Sequence, residues 1–251
     1  MGVFGAGGRM GTTVCAAVAG EEGLELVAGV DPHHVGREIE GITIAGDPAA
    51  LLDAGAEVVV DFTIVDAARE NVRWAAEHGV HAVVGTTGFS AEDIDSFEAG
   101  FTRSGCILAP NFAIGAVLAI RFAELAAPWF ETAEIIELHH DRKRDAPSGT
   151  ALHTAERMAA ASQTWATDPT EQEVLPGARG GKGPAGIRVH AVRMRGMVAH
   201  EEIILGTTGQ TLTIRHDSYD RTSFMPGVLL AVKKVVGMTG LTVGLDAVLE
   251  L

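Results

Sequence analysis

Between residues 139 and 150 two adjacent histidines, His139 and His140, precede Arg142, Lys143 and Arg144, and the segment closes on Ser148, Gly149 and Thr150. Imidazole and ammonium groups can exchange protons near neutral pH. Lysine and arginine pair with carboxylates, and small residues opening a helix leave backbone N–H groups free to receive one. Arg142 and Arg144 flank Lys143, so like-charge repulsion favours release of its proton. The set fits acid–base chemistry on a small dicarboxylate substrate. Taken singly, each histidine could be a structural residue and Ser148 to Thr150 a simple N-cap. Neither core packing nor solubility explains the paired histidines lying so near the helix opening.

A second cluster is Gly5, Ala6, Gly7, Gly8, Arg9, Met10 and Gly11, placed after a short β-branched run and before a helix expected over Thr12 to Ala19. Glycine makes the tight turn, lets backbone approach a pyrophosphate and aims a helix N-terminus at its charge. The usual fingerprint would put glycine at position 10, where this chain has methionine. Asp31 follows at about the spacing at which a carboxylate accepts from adenosine ribose hydroxyls. That favours NADH, whereas the nearby Arg9, His33 and His34 could take a 2′-phosphate, so tolerance of both NADH and NADPH is expected; otherwise the two histidines belong to an exposed loop. Gly85, Thr86 and Thr87 end another strand run and could contact the nicotinamide ribose, or cap a turn. Ala109, Pro110, Asn111 and Phe112 have the same two readings.

These clusters need elements to hold them. In the first half, strand-like runs at Val3 and Phe4, Leu24 to Val30, Val58 to Phe62 and His81 to Val84 alternate with helical periodicity, as over Asp66 to His78 with Gly79 as its C-terminal stop. That alternation predicts a parallel sheet with helices on both faces. After Pro110 the pattern predicts a helix from Ile114 to about Phe130, a strand over Ala133 to Leu138, and three further strands between Ile187 and Asp217, an open mixed sheet. A last helix is expected over Pro226 to Val236, and residues 177–186 as a mobile, glycine-rich loop.

The chain has 251 residues, 47% hydrophobic and 21% charged, which places it among ordinary folded proteins. No apolar run approaches the roughly 18 residues of a membrane span, and no room is left for a signal peptide, so a cytoplasmic protein without a membrane partner is expected. The net charge of −14 argues against nucleic acid as a partner. Within it, residues 175–199 hold Arg179, Lys182, Arg188, Arg193 and Arg195 but no acid, which reads as an anion-binding face or a solvated loop and strand edge. Cys15 and Cys106 lack metal-site spacing, the remaining histidines are scattered, and no metal is expected.

His139, His140, Lys143 and Asp145 to Thr150 closely resemble the signature of the 4-hydroxy-tetrahydrodipicolinate reductase (dihydrodipicolinate reductase) family. The resemblance extends over Gly5 to Gly11, Val84 to Gly88, Ala109 to Phe112, Leu175 to Arg179 and Arg221 to Phe224, essentially the whole chain, and looks most like the actinobacterial branch. It implies an α/β fold with a Rossmann-like dinucleotide-binding domain (residues 1–111), a mixed-sheet α+β substrate-binding and tetramerisation domain (112–216), and a C-terminal segment (217–251) returning to the first. The product would be tetrahydrodipicolinate of lysine and diaminopimelate biosynthesis, and the assembly a homotetramer. His139 would be the acid/base residue and Lys143 the proton donor; His140, Ser148, Gly149 and Thr150 would hold the substrate carboxylates. Gly5 to Met10, Asp31, Gly85 to Thr87 and Ala109 to Phe112 would contact the dinucleotide. Only four residues precede Gly5, so the first strand should be shorter than the family usually shows.

Two other readings remain. A semialdehyde dehydrogenase would need a nucleophilic cysteine, and Cys106 has no neighbouring base in sequence. A non-catalytic dinucleotide sensor would keep Gly5 to Gly11 without reason to carry His139, His140 and Lys143.

Overall fold

The computed structural model describes residues 1–251, which divide into two units, residues 1–114 with 221–251, and residues 115–220. In the first unit the chain runs β1 (Gly2–Phe4), α1 (Arg9–Ala19), β2 (Ala28–Val30), β3 (Glu38–Ile39), β4 (Ile42–Thr43), α2 (Ala49–Asp53), β5 (Val58–Asp61), α3 (Val65–His78), β6 (His81–Val84), α4 (Ala91–Gly100) and β7 (Gly105–Leu108). The second unit holds α5 (Ile114–Ala126) from its second residue on, then β8 (Thr132–His139), α6 (Gly149–Ala161), β9 (Gly181–Lys182), β10 (Arg188–Arg193), β11 (Ala199–Thr207) and β12 (Gln210–Ser218). The chain then completes the first unit with α7 (Met225–Val235), β13 (Gly240–Val243) and α8 (Asp246–Leu249).

The first sheet has the order β13-β7-β6-β5-β1-β2, with every pairing parallel. Its central strands β5 and β6 are buried except at His81, as their runs of valine require. The register aligns Phe4, Val30, Asp61, Val84 and Leu108, so the segments that follow them leave the sheet along one carboxyl edge. Ligands of open parallel sheets bind at that edge, where strand order reverses about β1. Local chemistry sets the helix ends. Gly79, at φ 69°, closes α3 in the left-handed region. A reciprocal Ser90–Asp93 capping box opens α4, and Arg69 grips Asp93 from α3, holding that carboxyl down at about 2.

The second sheet, β12-β11-β8-β10-β9, pairs β10 with β8 in parallel and is otherwise antiparallel. One face, with Ile135, Ile203 and Leu205, packs under Ala151, Ala155 and Met158 of α6. No helix is long and apolar enough to cross a membrane.

Several elements differ from the sequence pattern. β2 is confined to Ala28–Val30 because its partner β1 offers only Gly2–Phe4; before that, Val27 N–H reaches Met1 O and the Met1 amino group reaches Glu25 O. α1 starts at Arg9, inside the glycine segment. The helix from Ile114 ends at Ala126 and tightens to a 3₁₀ turn at Ala127–Trp129, where Pro128 has no N–H to continue it. Residues 177–186 include β9, paired with Arg188 and Val189, and a turn closed by Gly183 N–H to Ile187 O. The β3–β4 hairpin, α2, β13 and α8 gave no periodic signal, being two to five residues long.

Candidate active site

In the first unit the glycine segment is set by contact rather than by side chains. Gly5 stands at φ +65°, and a Cβ on Gly11 would lie 1.9 Å from Gly5 O. Gly8 caps α1 with no side chain in the way, and Gly8 N–H bonds Gly5 O at 2.9 Å. A cavity of about 830 Å³ opens there, lined by Gly5, Gly8 to Gly11 and Asp31 together with Phe62 to Ile64 and Arg221. A backbone cradle, a helix N-terminus and room for a large ligand together fit a dinucleotide.

Asp31 is buried and already engaged. Oδ2 accepts from Gly7 N–H at 3.1 Å and from the His34 ring at 2.9 Å, and Oδ1 accepts from His33 N–H at 2.9 Å. His34 is therefore no mere loop residue: its ring fills the space a Cβ on Gly7 would need, while Arg37 reaches Gly7 O at 3.3 Å. Ala6 is fully buried beneath the turn.

Gly85 to Thr87 and Ala109 to Phe112 leave the same sheet edge but do not line this cavity. Gly85 has no space for a Cβ, which would fall 2.0 Å from the Phe62 ring. The Thr86 hydroxyl is buried and turned inward on Asp61 Oδ1 (3.1 Å) and Thr63 O (3.0 Å), which leaves Thr87 as the exposed hydroxyl of the pair. Phe112 is buried edge-on to Phe62, Ala109 is buried with its N–H on Val84 O, Asn111 caps Ala113 N–H, and Pro110 is exposed.

The second unit carries the ionic cluster. β8 alternates inward residues Ala133, Ile135 and Glu137, so a carboxylate sits where the face is otherwise apolar. Left alone, a charge there would cost several kcal/mol. Arg193 from β10 binds it bidentately, both N–O distances 2.7 Å; Ser148 N–H donates to Oε1 at 3.0 Å and His139 Nδ1–H to Oε2 at 2.5 Å. Burial pushes Glu137 up, but Arg193 and His139 outweigh it and hold the carboxyl below its ordinary range. For His139 burial wins over the Glu137 contact and lowers its proton affinity. The result is an ionised glutamate and a neutral imidazole whose Nδ1 carries the proton, leaving Nε2 as the free basic atom.

Around that pair lie the remaining residues of the 139–150 segment. His140 Nδ1 accepts from Arg142 N–H at 3.2 Å, which places its proton on Nε2. Lys143 Nζ donates to Asp145 Oδ2 at 2.7 Å; its nearest charged partner is thus an opposite charge, not the arginines whose repulsion the sequence suggests. Ser148 is buried, its Oγ accepting Ala151 N–H as the N-cap of α6, so it shapes the helix opening rather than presenting a hydroxyl. Gly149 is exposed and Thr150 half-buried, and their amides precede the first bond of the helix, Leu152 N–H to Ser148 O.

Family models complete the picture. Residues 1–112 match the model described as dihydrodipicolinate reductase, N-terminus, and residues 115–249 match dihydrodipicolinate reductase, C-terminus. The chain belongs to the dihydrodipicolinate reductase family. It is 50% identical to the 4-hydroxy-tetrahydrodipicolinate reductase of Mycolicibacterium smegmatis, covering 100% of this chain and 99% of that one, and 51% identical to that of Nocardia farcinica, covering 100% and 98%. Among solved structures it is similar to a dipicolinate-bound dihydrodipicolinate reductase from Paenisporosarcina sp. TG-14, with TM-score 0.87, 38% identity and 98% and 97% of the two chains covered. An amine dehydrogenase from Mycobacterium smegmatis shares the fold alone, at 13% identity and TM-score 0.64. Members of this family are pyridine-nucleotide-dependent reductases acting on a small substrate.

Against that family frame, Glu137 and Arg193 are the site residues that sequence reasoning missed. Glu137 had a signal, since it breaks the apolar alternation begun by Ala133 and Ile135. Arg193 was seen only as part of a basic island; Lys182 and Arg195 in it are exposed, as on a solvated loop and strand edge, and its arginines are ion-paired. Arg179 pairs with Glu134, Arg188 with Asp168, Arg193 with Glu137 and Arg195 with Asp141, all acids from outside the run. Phe62 to Ile64 were also missed; their only signal was their place beyond a buried strand.

Proposed function

We propose that this chain reduces 4-hydroxy-tetrahydrodipicolinate to tetrahydrodipicolinate with loss of water, in lysine and diaminopimelate biosynthesis. The observation that carries the reading is the Glu137-oriented His139, with Nε2 free, beside the opening of α6 at Gly149 and Thr150. A non-catalytic dinucleotide sensor gives no account of that pair.

The bound reduced nicotinamide dinucleotide would supply the hydride; Gly5 to Met10, Asp31, Gly85 to Thr87 and Ala109 to Phe112 would hold it, with Ala6, Gly85, Ala109 and Phe112 acting through backbone and packing. Asp31 suits ribose hydroxyls. Its charge is already shared among Gly7, His33 and His34, and Arg9 and Arg37 stand near, which supports acceptance of a 2′-phosphate and hence use of both NADH and NADPH.

On the substrate side the Gly149 and Thr150 amides, His140 Nε2–H and the Ser148-capped turn receive carboxylates. A relative in complex with dipicolinate, a ring dicarboxylate, supports that class. His139 Nε2 takes a proton from the ring carbon beside C4 and returns it to the departing C4 hydroxyl, so dehydration consumes no net proton. Hydride arriving at C4 leaves electron density on the nitrogen-containing ring, and the Lys143 ammonium gives the proton that quenches it. The balance is one hydride and one proton in, one water out.

We further propose the earlier division of labour, with residues 112–216 binding substrate and building a cytoplasmic homotetramer, and 217–251 completing the nucleotide-binding part. The edge strand β12, exposed over residues 210–213, supports self-association. The deciding experiment follows nicotinamide absorbance with NADH and NADPH and freshly generated substrate, for wild type and Lys143→Ala. Turnover that collapses in the variant is expected; a folded wild type inert with both cofactors would overturn the reductase reading in favour of a sensor.

A further inference from the structure

Glu201 on β11 lies directly opposite Glu137 on β8, on the same inward face, and both are buried. Opposed residues of an antiparallel pair stand about 5 Å apart at Cβ, where two like charges repel strongly. The two acids are provided for unequally. Glu137 has Arg193, His139 and the Ser148 amide; for Glu201 the one side-chain bond is with Thr154 of α6, Oε1 to Oγ1 at 2.6 Å.

Thr154 Oγ1 also lies 3.0 Å from Thr150 O. A hydroxyl has one hydrogen and a carbonyl none. With Glu201 ionised, Thr154 Oγ1 must divide its one hydrogen between the two oxygens; with Glu201 protonated, both contacts become undivided hydrogen bonds, Glu201 O–H to Thr154 Oγ1 and Thr154 O–H to Thr150 O. The other groups facing Glu201 bring no counter-charge. His216, opposite it on β12, is a half-buried imidazole whose proton affinity burial lowers, and Gly115 of α5 packs against that ring. Arg193 of β10 is committed to Glu137 and Asp145 O.

We infer that Glu201 is a positioning residue for the reduction: as a neutral acid it braces the first turn of α6 through Thr154 and the Thr150 carbonyl, and on losing its proton it opposes the carboxylate received there. The inference rests on the proposed role of Gly149 and Thr150. Burial first, and then the charge of Glu137, push the Glu201 carboxyl up to about 7, so the change falls within working pH. Below that value the helix opening meets the substrate without an added charge; above it a buried anion lies behind it, and KM should rise.

Glu201→Gln keeps a donor toward Thr154 and removes the titration. The test compares the pH dependence of kcat and KM in wild type and E201Q, alongside infrared difference spectra of the two proteins without substrate. The expected result is a wild-type KM that rises about fivefold from the acid to the alkaline side of neutrality, a flat KM in E201Q, similar kcat in both at acid pH, and a protonated-carboxyl band in wild type that disappears over the same range. Superimposable KM profiles, or no such band on the acid side, would overturn the inference. Wild type without turnover would instead refute the reductase reading, and the infrared band, which needs no substrate, tells the two failures apart.

Discussion

The nucleotide cavity of the first unit and the ionic cluster of the second are built from different materials. Around Gly5 to Gly11 the structure works by leaving atoms out, since a Cβ on Gly11 would meet Gly5 O at 1.9 Å. Around Glu137 it works by placing opposed charges, with Arg193 and His139 both within 2.7 Å of one buried carboxylate. A site made of backbone is sensitive to volume and indifferent to pH. A site made of paired charges is sensitive to protonation.

Substitutions can break that contrast, taken from the largest expected effect downwards. His139→Ala and Lys143→Ala should each lower kcat by roughly 10²- to 10⁴-fold, with NADH affinity, read by fluorescence titration, unchanged within error. A parallel loss of NADH affinity would show that the two sites are not independent. Glu137→Gln leaves Arg193 with a neutral partner, and breaking such a buried pair costs about 3–5 kcal/mol, measurable by urea unfolding at neutral pH. The sign with pH follows from the lowered Glu137 carboxyl: its contribution is whole above the unfolded-state value and fades as pH falls through the folded one. Wild type should therefore lose stability on acidification faster than the variant; parallel curves would remove charge as the organising feature of the cluster.

Gly11→Ala sharpens the other side. Displacing the turn by about 1 Å should weaken NADH binding by roughly 10²-fold, equally at pH 6 and pH 8, with circular dichroism retained. A marked pH dependence would refute the backbone reading. The smallest effect belongs to Asp31→Ala, which should weaken NADH by a few-fold more than NADPH; equal weakening would reassign Asp31 to holding Gly7, His33 and His34 in place.

Much of this was legible in the chain. The alternation of valine-rich runs with helical periodicity gave the parallel sheet, and the 139–150 segment gave His139, His140 and Lys143, because each of these signals is local. Thr86 was legible as a residue type but not as a role, since its hydroxyl is spent on Asp61 and Thr63 across the sheet edge. The short pieces β3 and β4 were not legible, because two residues are too few to show an alternation and each owes its form to the other.

By itself the sequence determined what lies close along the chain: the glycine turn before α1, the capped opening of α6 and the chemistry between residues 139 and 150. Only the tertiary structure decided which charges meet. Arg193 reaches Glu137 and His190 reaches Glu134 because β10 pairs with β8, and Glu201 faces Glu137 because β11 does. Coulomb energy depends on distance in space, and strand register, which no local pattern encodes, sets that distance.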